Sequence, residues 1–267
     1  LNKNHTQDCE GGDREHYQLP FGQDRLITEL LAVNSNTVLV IVSGNAYEMP
    51  WIDKTPALVQ SWYLGSEAGH ALADIISGDV CPSGKLPFSI AYQLTDYPAH
   101  KMGAVGYPGV SPDKLPQPFG GEEGKPMTSA RLLKAAVEGW KGINFCDEPG
   151  NGSMKDETEI YGEDILLGYR WFDYFKTKVR FPFGFGLSYT TFSYGKPTIS
   201  GRTVSVSVRN SGKVLGQEVV QFYVGDDKAS VIRPMKELKH FEKVALAPGE
   251  TKLISYTIDD DDLKFFD

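Results

Sequence analysis

The sequence predicts an α/β domain, with a largely parallel sheet flanked by helices, followed by an all-β sandwich. Two observations lead to this fold class. Between residues 38 and 90, short apolar runs alternate with an amphipathic helical pattern and glycine turns, which is typical of a parallel α/β layer. After Arg202, apolar residues recur at every second position in short runs, which indicates the half-buried strands of a sandwich.

The α/β part opens with a polar loop over residues 1–22, followed by a predicted helix over Gln23–Val33 with its leucines and isoleucines on one side. Residues 38–42 form an unbroken apolar run, as expected of a strand buried on both faces. A second strand is predicted over residues 57–63, and a third over residues 85–90.

Between the second and third strands, Ser66 is predicted to cap a helix that ends at Gly78. Three strands are too few for a sheet of this type, which needs further strands and covering helices. We therefore expect the N-terminal part of this domain to lie outside the present sequence.

The change of period divides the chain. Residues 1–192 are predicted to form the partial α/β domain, 193–200 a linker, and 201–267 the sandwich. The end of the sequence, from Leu263 to Asp267, resembles the start of a further strand, so we expect the sandwich to be truncated. The strands predicted within the sandwich cover residues 203–208, 220–224, 238–246 and 252–258.

A long segment over residues 97–159 is rich in glycine and proline and has little periodicity, apart from a short helical pattern at residues 129–140. Irregular segments of this length are usually functional or disordered. Two interpretations stay open: the segment overhangs an active site and shapes substrate choice, or it is a surface excursion.

Composition excludes several classes of function. The net charge of −8, from 27 basic and 35 acidic residues, argues against nucleic acid as a main partner. No run of about 18 apolar residues is present, so no membrane-spanning helix is expected. The three cysteines and five histidines are scattered without a disulfide framework or metal-ligand spacing. We therefore expect no metal site.

Three long segments carry a family resemblance. SGNAYEMPW (residues 43–51) with WYLGSEAGHALADIISGDVCPSGKLPFS (62–89) resembles the second domain of glycoside hydrolase family 3, the β-glucosidase and β-xylosidase family. GYRWFDYFKTKVRFPFGFGLSYTTF (168–192) resembles that domain's final part, and residues 216–267 resemble the fibronectin type III-like domain that often follows it. The resemblance implies an upstream barrel domain that carries a nucleophilic aspartate.

The resemblance also implies a catalytic residue in the loop QDCEGGDR, residues 7–14. Glu10 is the candidate general acid/base, and Asp8 is the alternative. The neighbouring glycines would let this loop reach the barrel, while Asp13 and Arg14 would pair to brace it. Glycoside hydrolysis needs two carboxyl groups across the scissile bond, about 5–5.5 Å apart in a retaining enzyme. Glu10 needs a raised pKa to serve as the acid near neutral pH.

The resemblance thus predicts the C-terminal portion of a retaining, exo-acting β-glycosidase, with β-glucosidase as the favoured activity. Its partners would be a β-linked oligosaccharide or glycoside and the barrel domain of the same protein, and the resemblance implies no cofactor. The family also implies a secreted or periplasmic location, although no signal peptide pattern is present. The alternatives are β-xylosidase or N-acetylglucosaminidase activity, or a non-catalytic carbohydrate-binding or structural fragment.

Two further pairs invite functional interpretations. Glu48 and Trp51 could bind a sugar by hydrogen bonding and ring stacking, but we favour a packing role for them. Glu67 and His70 stand at a predicted helix start, where a carboxylate suits the helix dipole without any catalytic role.

Overall fold

The computed structural model describes residues 16–103, 107, 133–134, 136–138 and 161–264. Within these residues the chain forms an α/β region and a β-sandwich that contact each other. No helix among the residues described is both long and apolar enough to cross a membrane.

Helix α1 spans Gln23–Val33, as predicted. It begins after Gly22, whose backbone is left-handed with φ 68°, and Asn34 N–H closes it by donating to Leu30 O. Ile27 is fully buried, so one face of the helix packs into the main α/β core. That core is formed by the following buried side chains: Leu19, Ile27, Leu39, Ile41, Tyr47, Met49, Trp51 and Ile90.

Strands β1 (Val38–Ile41) and β2 (Ala57–Gln60) pair in parallel, with Val38 opposite Ala57. Both strands are shorter than predicted. The connection between them crosses the sheet edge and includes a 3₁₀ turn at Ile52–Lys54. Parallel pairing is therefore observed for this pair of strands.

Helix α2 spans Ala68–Ser77 and ends at Gly78, whose positive φ of 87° suits glycine. The predicted cap differs. Ser66 lies inside a preceding 3₁₀ turn, Gly65–Glu67, and Glu67 occupies the N-cap position without a side-chain capping bond. The left-handed Gly65 produces this extra turn, so the α-helix starts later than the sequence pattern indicates.

The third predicted strand, residues 85–90, is reduced to β3 at Ile90–Ala91. It pairs antiparallel with β4 (Val179–Phe181), not in parallel with the first two strands. Leu86 cannot extend the strand because its backbone bonds the turn after β4: Leu86 N–H donates to Phe185 O, and Gly184 N–H donates to Leu86 O.

Two short helices complete the α/β region, α3 at Pro98–Lys101 and α4 at Tyr169–Tyr174. Residues 133, 134, 136 and 137 are also helical, in agreement with the pattern at 129–140. A second core lies between these elements. Its buried members are Ala91, Leu133, Ala136, Leu166, Trp171 and Phe172.

The β-sandwich has two antiparallel sheets. In one, β7 (Thr203–Asn210) pairs with β10 (Thr251–Thr257) and with two short strands, β5 (Phe192–Tyr194) and β6 (Thr198–Ser200). In the other, β8 (Gly216–Val224) pairs with β9 (Glu237–Leu246). Residues 193–200, for which we predict a linker, thus contain β6 and the last two residues of β5.

The sandwich core confirms the alternation seen in the sequence, because the inward-facing residues of both sheets are buried. They are Val206, Val208, Val220, Phe222, Val244, Leu246 and Ile254. The last described element is a short helix, α5 (Asp260–Leu263), where the sequence suggests a strand beginning at Leu263. Asp259 caps this helix by accepting a bond from Asp262 N–H, so the acidic run favours a helical turn.

A buried ion pair joins the two regions. Lys85 Nζ lies 3.1 Å from Glu218 Oε2, and the two side chains are 16% and 11% exposed. Tyr194 donates a 2.9 Å hydrogen bond to the other oxygen of Glu218. On α4, the Tyr169 hydroxyl accepts from Leu238 N–H at 2.8 Å. Polar contacts between Lys85 and Glu218 and between Tyr169 and Leu238 therefore join the α/β region to the sandwich.

Candidate functional site

The predicted catalytic candidates Glu10 and Asp8 lie outside the described residues, as do Asp13 and Arg14. The structure describes the chain from His16 onward, two positions after the end of this loop. The candidate site is therefore built from the base of the loop and from the surface to which that base is attached.

Tyr17 attaches the base of the loop. Its side chain is 4% exposed, and its backbone oxygen accepts a 3.0 Å bond from Glu48 N–H. Its hydroxyl lies 3.0 Å from the hydroxyl of Tyr97 and 3.3 Å from Ala91 O. One residue thus binds the connection that follows β1 through its backbone and strand β3 through its side chain.

Asp24 forms a second attachment. Its carboxylate accepts from Leu19 N–H at 3.2 Å and from Trp51 Nε1–H at 2.7 Å. Burial raises the pKa of Asp24, and the bonds from Trp51 and Leu19 act in the opposite direction. Trp51 itself is 3% exposed, which confirms its predicted packing role. The chain is held immediately before α1 as a result.

The carboxyl ends of the parallel strands β1 and β2 lie side by side, and both attachments are made to the connection that leaves β1 there, at Glu48 and Trp51. There Gln60 joins two segments: its amide donates to Ser43 O at 2.7 Å, and its oxygen accepts from the Tyr47 hydroxyl at 2.8 Å. Burial raises the pKa of Tyr47, so its hydroxyl stays protonated as a donor. In open α/β sheets, ligands bind beyond the carboxyl ends of the strands. The base of the predicted catalytic loop thus meets the edge where chemistry is expected.

Trp62 follows β2 at this same edge in an unusual conformation. Its φ of 55° is left-handed, which is rare for a bulky side chain and is found at functional sites. Its ring packs edge-on against Phe88, with centroids 5.5 Å apart. The adjacent Tyr63 is 56% exposed. An aromatic surface therefore borders the candidate site.

The other pair singled out in the sequence has no such setting. Glu67 Oε2 lies 2.7 Å from His70 Nδ1, but both side chains are more than three-quarters exposed. This is a solvated pair at a helix start. Among the described residues, no group of three or more His, Cys, Asp or Glu side chains could hold a metal ion.

Tyr17, Tyr97, Asp24 and Trp62 were not predicted as site residues. The pairing of Tyr17 with Tyr97 spans 80 positions, which no local pattern reveals. The available signals were an aromatic residue within a polar loop, for Tyr17, and an acidic residue in the first turn of α1, for Asp24. The left-handed backbone of Trp62 leaves no signature in the sequence.

Two family models match the chain. The glycosyl hydrolase family 3 C-terminal domain matches residues 1–189, and a fibronectin type III-like domain matches residues 218–267. The first match covers the base of the loop, the edge at β1 and β2, and the ion-paired Lys85. The second covers strands β8, from Glu218, to β10 of the sandwich.

Named relatives extend the similarity over the whole chain. Beta-glucosidase BoGH3A of Bacteroides ovatus is 49% identical over 275 residues, which is 100% of this chain and 31% of that protein. A β-glucosidase of Kluyveromyces marxianus is 38% identical over 94% of this chain and 25% of its own length. The chain therefore spans less than a third of the length of these relatives.

Solved structures agree. The β-glucosidase DesR of Streptomyces venezuelae, in complex with D-glucose, superposes with a TM-score of 0.75 at 34% identity, covering 100% of this chain and 29% of that one. The Kluyveromyces marxianus β-glucosidase with glucose superposes with a TM-score of 0.72 at 37% identity, covering 97% of this chain and 26% of that one. Taken with the family model over residues 1–189, these matches show that the chain belongs to glycosyl hydrolase family 3.

Proposed function

We propose that this chain is the C-terminal portion of a retaining β-glucosidase that removes terminal, non-reducing β-linked glucose. The observation that carries the proposal is the 49% identity, over the entire chain, to a protein named as a β-glucosidase. The glucose bound to two solved relatives supports glucose over xylose as the sugar recognised.

In the proposed mechanism, Glu10 supplies the general acid/base and an aspartate on an upstream barrel supplies the nucleophile. The aspartate attacks the anomeric carbon while Glu10 protonates the departing glycosidic oxygen, which forms a covalent glycosyl-enzyme. Glu10 then removes a proton from water, and the resulting attack releases glucose and the free aspartate. Asp8, on the same loop, is the alternative acid/base.

An upstream partner region is supported by exposed apolar side chains on α1. Leu26, Leu30 and Val33 are 47%, 44% and 83% exposed and are spaced to share one helix face. Helix α2, although rich in apolar residues, has no buried residue. Apolar stripes of this kind normally pack against another element. We infer that upstream strands and helices cover them and extend the parallel pair β1–β2.

The proposal is tested by turnover of aryl β-glucoside, β-xyloside and β-N-acetylglucosaminide. This chain alone is compared with a longer polypeptide that includes its upstream region. Activity of the longer form alone, with preference for the glucoside, is expected. Preference for another sugar would replace the proposed substrate, and turnover by the short chain would refute the external nucleophile. Inactivity of both forms would favour a non-catalytic fragment.

Secretion or periplasmic residence stays a prediction, which subcellular fractionation tests.

A further inference from the structure

Phe21 lies directly before helix α1, in a backbone conformation that suits glycine better than phenylalanine. Gln23 N–H donates to Pro20 O at 3.2 Å and closes a turn. The two central residues of this turn, Phe21 and Gly22, have φ values of 59° and 68°. Turns with two positive φ values are normally built from glycine, asparagine or aspartate, because a larger side chain is strained there. The aromatic side chain therefore occupies this position at a local conformational cost.

The other strained residues have local explanations. Within the described part of the chain, residues other than glycine with positive φ are Phe21, Trp62, Asp164 and Lys176. Trp62 packs against Phe88, and aspartate itself tolerates the left-handed region. Lys176 N–H donates to Asp173 O at 3.2 Å just after α4, and a left-handed residue is common at a helix end. Phe21 gains no comparable packing, since it is 76% exposed.

The exposed ring of Phe21 adjoins an exposed apolar side of α1. Ile27 is fully buried, and Leu31 packs beside it against the core. Three further apolar residues of the helix are 47%, 44% and 83% exposed: Leu26, Leu30 and Val33. The apolar arc of α1 is thus wider than the face that the α/β region covers. We call Phe21 and these three residues the α1 surface.

A contact within the α1 surface does not account for the strain. A residue that precedes a helix often packs against the fourth helical residue, which is Leu26 here. Such packing would shield both side chains, but they remain 76% and 47% exposed. Single exposed apolar residues are ordinary, whereas a strained aromatic residue beside an apolar helix face indicates a surface that another element covers.

The similar proteins indicate where the covering element lies. The family model that matches residues 1–189 describes a C-terminal domain, and the chain spans 31% of the Bacteroides ovatus relative. Most of that relative therefore lies outside the part that this chain matches. The upstream region of the same polypeptide is accordingly the occupant that these observations favour over a second copy of the chain.

We propose that Phe21 anchors the α1 surface in an apolar pocket of the upstream region. Burial of its ring in that pocket offsets the strain of the turn, so Phe21 stabilises the longer polypeptide and destabilises this chain alone. The inference rests on the proposed function, because it needs an upstream region that folds against this one.

Hydroxyl-radical footprinting measures the contact directly. This chain and a polypeptide extended only at its N-terminus are oxidised in parallel, and side-chain oxidation is measured by peptide mass spectrometry. We expect Phe21 to be oxidised about 10-fold more slowly in the extended form, because an anchor residue sits in a desolvated pocket. Phe241, which is 62% exposed on β9, is the matched control and should react equally in both forms. Equal rates for Phe21 in both forms, or an equal fall for Phe21 and Phe241, would overturn the proposal.

Phe21→Gly should have opposite effects in the two forms. In this chain it should raise the melting temperature by about 2 °C, because it relieves the strained turn. In the extended form it should lower the melting temperature by about 4 °C or more, because a buried ring is lost. Lys176→Gly also replaces an exposed left-handed residue, so as the matched control it should raise the melting temperature in both forms. A rise for Phe21→Gly in both forms would overturn the anchor.

The outcomes separate this inference from the proposed function. Glycosidase activity of the extended form without protection of Phe21 would refute the anchor and leave the proposed function standing. Protection of Phe21 in an extended form that hydrolyses no β-glucoside would support the anchor and refute the proposed activity. Protection of Phe21 in this chain alone at high protein concentration, together with a dimer in sedimentation, would assign the α1 surface to a second copy and overturn the upstream partner.

Discussion

Replacing Glu218 with alanine should destabilise the protein strongly, because it breaks the ion pair that joins the α/β region to the sandwich. Lys85 Nζ and Glu218 Oε2 are 3.1 Å apart, with the two side chains only 16% and 11% exposed. Without the carboxylate, the Tyr194 hydroxyl loses its 2.9 Å acceptor, and Lys85 Nζ keeps its 3.1 Å hydrogen bond to Gly186 O.

The magnitude follows from burial. Removing one member of a buried pair costs about 3–5 kcal/mol, and the remaining carbonyl partner of Lys85 places Glu218→Ala near 3 kcal/mol. Glu218→Gln keeps the shape but loses the charge and one acceptor, which should cost about 2 kcal/mol. The double change Lys85→Met with Glu218→Leu should recover much of the loss, since apolar replacements of buried pairs are often neutral.

The assay is urea denaturation, comparing unfolding midpoints and slopes. Glu29→Ala is the matched control, because the Arg25–Glu29 pair is closer, at 2.7 Å, but 83% and 61% exposed. An exposed pair of this kind contributes about 0.3–0.5 kcal/mol. If Glu218→Ala lowers the free energy of unfolding no more than Glu29→Ala does, the Lys85–Glu218 pair is screened by solvent and the reasoning from burial is wrong.

Three other predictions concern stability. Burial lowers the pKa of His100, so the stabilising contribution of its neutral ring is fully present above the ordinary pKa of 6.5 and is lost as pH falls through the lower folded-state pKa. In His100→Gln, the melting temperature should therefore fall less steeply as pH drops below 6.5. An unchanged dependence of melting temperature on pH would contradict this. Gly69→Ala should raise the free energy of unfolding by about 0.5 kcal/mol, because Gly69 is inside α2 with open space around it. Gly78→Ala should lower it by about 1 kcal/mol, because the φ of 87° strains any other residue. Urea midpoints that shift in the same direction for both variants would refute this contrast. Ile27→Ala should lower the free energy of unfolding by about 3 kcal/mol, because Ile27 is fully buried. Leu26→Ala should lower it by less than about 1 kcal/mol in this chain and by more in the complete enzyme. An equal loss for Leu26→Ala in both forms would argue against an upstream element that covers the exposed face of α1.

Periodicity predicted the elements whose stability comes from one apolar face. The bounds of α1 agree with its sequence pattern because Ile27 and Leu31, one helical turn apart, pack against the core. The sandwich strands agree because buried and exposed residues alternate along β7 and β8. In both cases, the residues that repeat at the local spacing of the helix or strand are the residues that become buried.

Two stretches whose structure depends on long-range backbone pairing differ from the prediction. Residues 85–90 suggest a strand, but the backbone of Leu86 bonds to the turn at residues 184–185 and only Ile90 and Ala91 pair as a strand. Residues 193–200 have the sequence pattern of a linker, but they pair with β7 as parts of β5 and β6. The same holds for the candidate site, where the Tyr17–Tyr97 contact depends on residues distant in the sequence.

Glu10→Gln in the complete enzyme tests the central proposal most directly. We expect kcat/KM for a phenyl β-glucoside to fall about 100- to 10,000-fold, the usual contribution of a general acid/base. Hydrolysis of the 2,4-dinitrophenyl glucoside should be limited by the second step, and azide should accelerate it by attacking the glycosyl-enzyme in place of water to give β-glucosyl azide. Unchanged turnover of the phenyl glucoside would show that Glu10 is not the acid/base.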